Sequence, residues 1–148
     1  MSEHTATVEW KRETPDFEYQ SYNRDHDWVF DAGITVRASA NPAYQGSERC
    51  VDPEEAFVAS LSSCHMLTFL AMAARNQYVV DRYRDHAVGV LGKDSSGHLA
   101  MTRVTLRPEV AFSSEKVPSP DELRQLHDRA HHACFIANSV KTQVDVKI

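Results

Sequence analysis

The chain has 148 residues, of which 42% are hydrophobic, with a formal charge of -5 and three cysteines. That length suits one domain over residues 1–148 rather than two well-buried ones, and the acidic balance offers no general basic surface for nucleic acid. Three scattered cysteines make no disulfide framework, the N-terminal MSEHTATVEW lacks the basic and apolar segments of a secretory signal, and no stretch reads as membrane-spanning, so a soluble cytoplasmic protein without a membrane partner is expected.

The first elements read as strands. TATVEW alternates Ala6, Val8 and Trp10, and WVF and ITVRA lie on either side of Asp31-Ala32-Gly33, a turn. A helix then starts at Asp52-Pro53, a capping residue followed by proline at the first helical position, with Glu54 and Glu55 suited to the positive end of the helix dipole. EEAFVASLSSCHMLTFLAMAARN continues it for about 20 residues. Its apolar residues wrap more than one face, which predicts burial on several sides.

HAVGVLGK and HLAMTRVTLRPEVAF flank Asp94-Ser95-Ser96-Gly97 as a hairpin. A second helix starts at Ser119-Pro120-Asp121-Glu122, where Ser119 and Glu122 have the spacing of a capping box. Leu123, Leu126, Ala130 and Ala133/Cys134 give it one narrow inner stripe, and SVKTQVDVKI closes the chain as an alternating strand. Clustered strands with two separate helices argue for an α+β fold of antiparallel sheets.

Cys64 invites two readings. A cysteine in an apolar helix is ordinarily an inert small hydrophobe, yet Ser60, Ser62, Ser63 and His65 surround this one with polar groups. Cys134 follows two histidines at a helix end, where carbonyl ends raise a thiol's pKa, so it reads as a resolving partner rather than a first nucleophile. Cys50 reads as an ordinary loop residue. Zinc is the rival use of Cys64, His65, His131, His132 and Cys134, but adjacent helical residues point about 100° apart, so Cys64 and His65 fit one ion poorly. His131 and His132 read as a solvated helix face.

VDPEEAFVASLSSCHMLTFL, followed by HHACFIANSV, resembles the OsmC/Ohr family of osmotically inducible and organic-hydroperoxide-resistance proteins over nearly the whole chain. The resemblance implies antiparallel sheets around a long central buried helix plus a second helix, in an intertwined homodimer. It implies a cysteine peroxidase without metal or other cofactor, acting on an organic hydroperoxide and recycled by a lipoyl-type dithiol. Position by position, Cys64 matches the peroxidatic cysteine, Cys134 the resolving cysteine, Glu54 the motif glutamate and Arg24 the thiolate-holding arginine. Phe135-Ile136 after Cys134 and His65 after Cys64 depart from the peroxidase pattern and place the chain nearer a less characterised branch.

An ordinary thiol, with pKa about 8.5, is mostly protonated at neutral pH, so the chemistry needs a cation beside the sulfur. Arg24 would supply it and Glu54 would hold the guanidinium. On one straight helix, Glu54 and Cys64 lie about 15 Å apart along the axis and roughly 80° apart in direction. A single arginine serving both therefore requires a broken helix or a Glu54 from a second subunit. Phe57, Leu61, Phe69, Trp28 and Tyr44 are candidate walls for an apolar substrate, or else core residues. Three functions stay open: a thiol peroxidase, a non-enzymatic small-molecule or redox-binding relative, and a zinc protein.

Overall fold

The structure, a computed structural model, describes residues 1–113 and 115–148. The fold is α+β, and the chain divides into two units, residues 1–56 and 57–148.

In the first unit, β1 (Thr7–Glu9), β2 (His26–Val29) and β3 (Thr35–Ala38) form an antiparallel sheet in that order, with Val8 opposite Trp28 and Trp28 opposite Val36. The predicted turn at Asp31–Gly33 joins β2 to β3, with Ala32 and Gly33 both at positive φ. The following loop folds back so that Ala38 bridges Val51 and the Ser39 N–H donates to the Val51 carbonyl at 3.0 Å. Gly46 makes this possible, since a Cβ there would come within 1.5 Å of the Ala40 carbonyl oxygen.

Helix α1 (Pro53–Arg75) begins where the sequence places it. Asp52 Oδ1 accepts from the Glu55 N–H at 2.7 Å while Glu55 Oε2 accepts from the Asp52 N–H at 3.1 Å, a reciprocal cap. Asn41 Nδ2 donates to the other Asp52 oxygen at 2.9 Å. Pro53 fills the first helical position at no cost in hydrogen bonds, because that N–H would have no intrahelical acceptor.

The second unit holds β4 (Val80–Asp85), β5 (Val88–Lys93), β6 (Leu99–Leu106), β7 (Pro108–Phe112), α2 (Pro120–Ala133) and β8 (Gln143–Val146). β4 pairs with β7, and β5-β6-β8 form a second sheet. The β5–β6 hairpin turns at Asp94–Gly97 as expected, and α2 carries the expected capping box between Ser119 and Glu122. Two features differ from the sequence reading. β8 pairs with β6 in parallel, and β4 occupies a stretch to which no element was assigned. In β4 the charges Asp81, Arg82 and Arg84, together with a register shift between Val80 and Arg82, mask the period of two.

Phe69, Ala73, Leu126 and Ala130 form one core cluster, supported by Leu123, Tyr78 and Val110. Leu61, Val104 and Leu106 form the other, with Phe57, Val58, Val144 and Val146 around it. On α1 the fully buried residues are Leu61, His65, Phe69 and Ala73, a single stripe at four-residue spacing. The expected burial on several sides is therefore not met within one chain, and Leu67 is 60% exposed. The expectation that no stretch reaches membrane-spanning length is also corrected. α1 has 23 residues and a mean hydropathy of 1.6, enough by length and composition, with 22% of its most apolar window buried.

Candidate functional site

Cys64 lies in mid-α1 and is half-buried, a free thiol. Hydroxyls near it are engaged elsewhere. Ser60 donates to the Phe57 carbonyl, and Thr68 donates to the Cys64 carbonyl, each at 2.8 Å and each within the helix. Ser62 leaves the helix altogether, donating to Asp85 Oδ2 at 2.5 Å.

Cys134 caps the C-terminus of α2, is 1% exposed and is also a free thiol. Its N–H donates to the His131 carbonyl at 3.3 Å, and its sulfur accepts from the Ala137 N–H at 3.4 Å. Burial is the first cause pushing this thiol above its usual value, and interaction with the Cys64 side chain is the second. The Ala137 N–H acts the other way. The two cysteines that the sequence singles out are thus neighbours, one half-open and one sealed.

Beside them is a pair that sequence reasoning missed. His65 is 1% exposed and His127 is 0% exposed, and His65 Nε2 and His127 Nδ1 share a hydrogen bond of 3.0 Å. Their rings are parallel within 3° at a centroid distance of 5.3 Å, and Phe69 stacks on His127 at 4.3 Å. Burial lowers each ring to about 4, with His127 and His131 adding repulsion at His65, and Asp128 and Asp85 opposing the shift at His127. Both imidazoles are therefore neutral at physiological pH. His65 Nδ1, His127 Nε2 and His131 Nδ1 have no protein partner. The signal in the sequence was position: His127 falls within the inner arc of α2, beside Leu126 and four residues before His131. His132 faces solvent as expected, whereas His131 is half-buried.

In the first unit, Arg24 precedes β2. Its Nη1 donates to the Tyr22 carbonyl at 2.5 Å and its Nη2 to the Tyr19 carbonyl, and the guanidinium lies 3.6 Å from the Tyr22 ring centroid. Trp28 Nε1 donates to His26 Nε2 at 3.0 Å, which leaves His26 Nδ1 to donate to the Arg24 carbonyl at 2.8 Å. Asp25 and Asp27 pair with Arg37 instead of Arg24. Arg24 lines a cleft of about 340 Å³ with Trp10, Phe17, Tyr22 and His26. Glu54 takes no part in the cap of α1, which Glu55 makes. Among the described residues, no three His, Cys, Asp or Glu side chains converge as a metal-binding group.

Residues 46–148 match the model of the family described as OsmC-like protein. The chain belongs to that family. An OsmC-like protein of unknown function from Vibrio cholerae is 50% identical, with a TM-score of 0.97 over 100% of this chain and 99% of the other. An organic hydroperoxide resistance protein from Elizabethkingia anophelis, with thiocyanate bound, superposes with a TM-score of 0.73 at 17% identity over 99% and 94% of the two chains. A putative organic hydroperoxide resistance protein from Vibrio cholerae, with captopril bound in one of its active sites, gives 0.70 at 20% identity over 99% and 91%. These last two show the shared fold. No functionally curated protein matches the sequence.

Proposed function

We propose that this OsmC-like chain is a thiol peroxidase that reduces organic hydroperoxides, with Cys64 as nucleophile and Cys134 as resolver. The observation that carries the reading is the α1–α2 seam, where His65 and His127 share a 3.0 Å hydrogen bond with the half-open Cys64 beside His65 and Cys134 at the end of α2, its burial keeping that thiol protonated while Cys64 reacts. The Cys64 thiolate attacks one peroxide oxygen, the O–O bond breaks, and the alkoxide takes a proton and leaves as the alcohol. Cys64 is then a sulfenic acid. Cys134 attacks its sulfur, the displaced hydroxide takes up the Cys134 proton as water, and a Cys64–Cys134 disulfide remains. An external dithiol of lipoyl type returns both thiols.

In this reading Arg24 holds the thiolate and Glu54 orients Arg24, and the cell compartment is the cytoplasm. The unbroken run of α1 from Pro53 to Arg75 favours a homodimer in which Glu54 comes from the second copy. The aromatic cleft at Arg24 favours an organic over an inorganic peroxide.

A non-enzymatic small-molecule or redox-binding role is the second reading. It is favoured by the two carbonyls that already engage the Arg24 guanidinium beside that cleft. Treatment of reduced protein with cumene hydroperoxide separates the two. The peroxidase forms an intramolecular disulfide, Cys134→Ser stops at oxidised Cys64, and Cys64→Ser consumes no peroxide. Slow consumption with every dithiol, indifferent to Cys64→Ser, would overturn the peroxidase and leave the binding protein.

A further inference from the structure

His65 and His127 are expensive residues for their positions. Both rings are fully buried, yet they share one hydrogen bond and leave His65 Nδ1 and His127 Nε2 without a protein partner. A buried polar group left unpaired is destabilising, a cost that leucine or phenylalanine at either position would not carry. What imidazoles add is direction. Aliphatic side chains in a helix seam tolerate small slides, whereas a 3.0 Å hydrogen bond between parallel rings fixes both the rotation and the translation of α2 on α1. Phe69, one turn beyond His65 on α1, stacks on His127 and narrows the freedom further.

The same seam carries the two sulfurs. Cys64 immediately precedes His65 on α1, and Cys134 ends α2 seven residues after His127, about two helical turns. Fixing His127 against His65 therefore fixes where the end of α2 meets α1, and that end is where Cys134 meets Cys64. Disulfide formation is sensitive to this placement, because Cα atoms must lie within about 7 Å with the side chains directed at each other.

We propose that the buried His65–His127 pair is a positioning clamp that holds Cys134 against Cys64 for disulfide formation. The clamp deepens the peroxidase reading and rests on it for its biological purpose, but the test uses no peroxide. Protein in a Cys50→Ser background is equilibrated with mixtures of reduced and oxidised dithiothreitol, and the fraction of Cys64–Cys134 disulfide is read by alkylation and mass spectrometry. In that exchange the two protein thiols lose two electrons and two protons while the cyclic disulfide of the reagent opens to its dithiol.

His127→Phe keeps the ring volume and the stack on Phe69 but removes the hydrogen bond. It should shift the equilibrium toward the dithiol by about tenfold. His127→Asn and His65→Gln place an amide near the bonded ring nitrogens and should stay within about threefold of the parent. Should His127→Phe fail to fold by circular dichroism, His65→Leu takes its place. A folded variant without the hydrogen bond that keeps the parent equilibrium overturns the clamp, as do amide variants that fall as far as His127→Phe. A wild-type chain inert to peroxide would sink the proposed function and leave this measurement intact.

Discussion

Cys134 is sealed at the end of α2 and interacts with Cys64 of α1, and of the two only Cys64 is half-open to solvent. Alkylation should report that asymmetry. Iodoacetamide added to native, reduced protein should modify Cys64 ahead of Cys134 by about tenfold or more, because burial blocks access and holds the second thiol protonated. In denaturant the difference should vanish. Peptide mass spectrometry follows each site, and equal native rates would contradict the burial of Cys134.

The imidazole pair predicts an acid-sensitive fold. Each ring is lowered from 6.5 to about 4, so between those values the unfolded chain binds protons that the folded chain refuses. Stability is therefore full above pH 6.5 and falls as the pH drops toward 4, by on the order of 3 kcal/mol for each ring taken alone. The surrounding groups are His131, which repels a charge on His65, and Asp128 and Asp85, which attract one on His127. Urea melts at pH 7.5, 5.5 and 4.5 should show the decline. His127→Asn, which cannot titrate, should flatten part of it, and an identical slope in that variant would refute the assignment.

Both helix starts were legible because proline and capping side chains act locally, within four residues. The Asp31–Gly33 and Asp94–Gly97 turns were legible for the same reason. β4 was not, because its inward residues Val80 and Tyr83 are separated by charges and a register shift. Nor was the parallel pairing of β8 with β6, since alternation along a strand carries no information about the direction of its neighbour. At the site, Cys64 and Cys134 stood out by residue type. The partnership of His65 with His127 spans 62 positions and depends on how α2 crosses α1, which no local pattern encodes.

Asp85 ties α1 to the β-strands. Its Oδ2 accepts from Ser62 Oγ at 2.5 Å and its Oδ1 from the Arg107 N–H at 2.6 Å, so one carboxylate holds both the turn of helix before Cys64 and the junction of β6 with β7. Asp85→Ala leaves both donors unanswered and should cost about 2–3 kcal/mol in urea melts, hydrogen bonds to a charged acceptor being the stronger kind. Ser62→Ala removes one donor and should cost less. A larger loss for Ser62→Ala than for Asp85→Ala would show that the hydroxyl matters for another reason.

The two glutamates at the start of α1 should behave differently. Glu55 closes the cap with Asp52, so Asp52→Ala should destabilise the protein by about 1–2 kcal/mol. Glu54 stands outside that cap, and Glu54→Gln should leave the melt within about 0.5 kcal/mol of the parent. If Glu54 orients the thiolate-holding arginine, the same substitution should nonetheless slow peroxide reduction. A rate equal to that of the parent would remove Glu54 from the proposed machinery.

The apolar surface of α1 calls for a cover. Leu61, Phe69 and Ala73 are inside, but Leu67 is 60% exposed on a helix whose most apolar window is 22% buried. Open hydrocarbon of this extent on a helix marks either an interface or a lipid contact. The proposed homodimer would place it against a second copy, where a charge at its centre would be desolvated without a partner. Leu67→Glu should therefore convert the dimer to monomer at micromolar concentration in analytical ultracentrifugation, while Leu99→Glu, a change at another exposed apolar residue beside the turn of the β5–β6 hairpin, should not. A Leu67→Glu protein that remains dimeric would put the interface elsewhere. A parent chain that is monomeric in buffer and partitions onto lipid vesicles would assign the helix face to membrane instead.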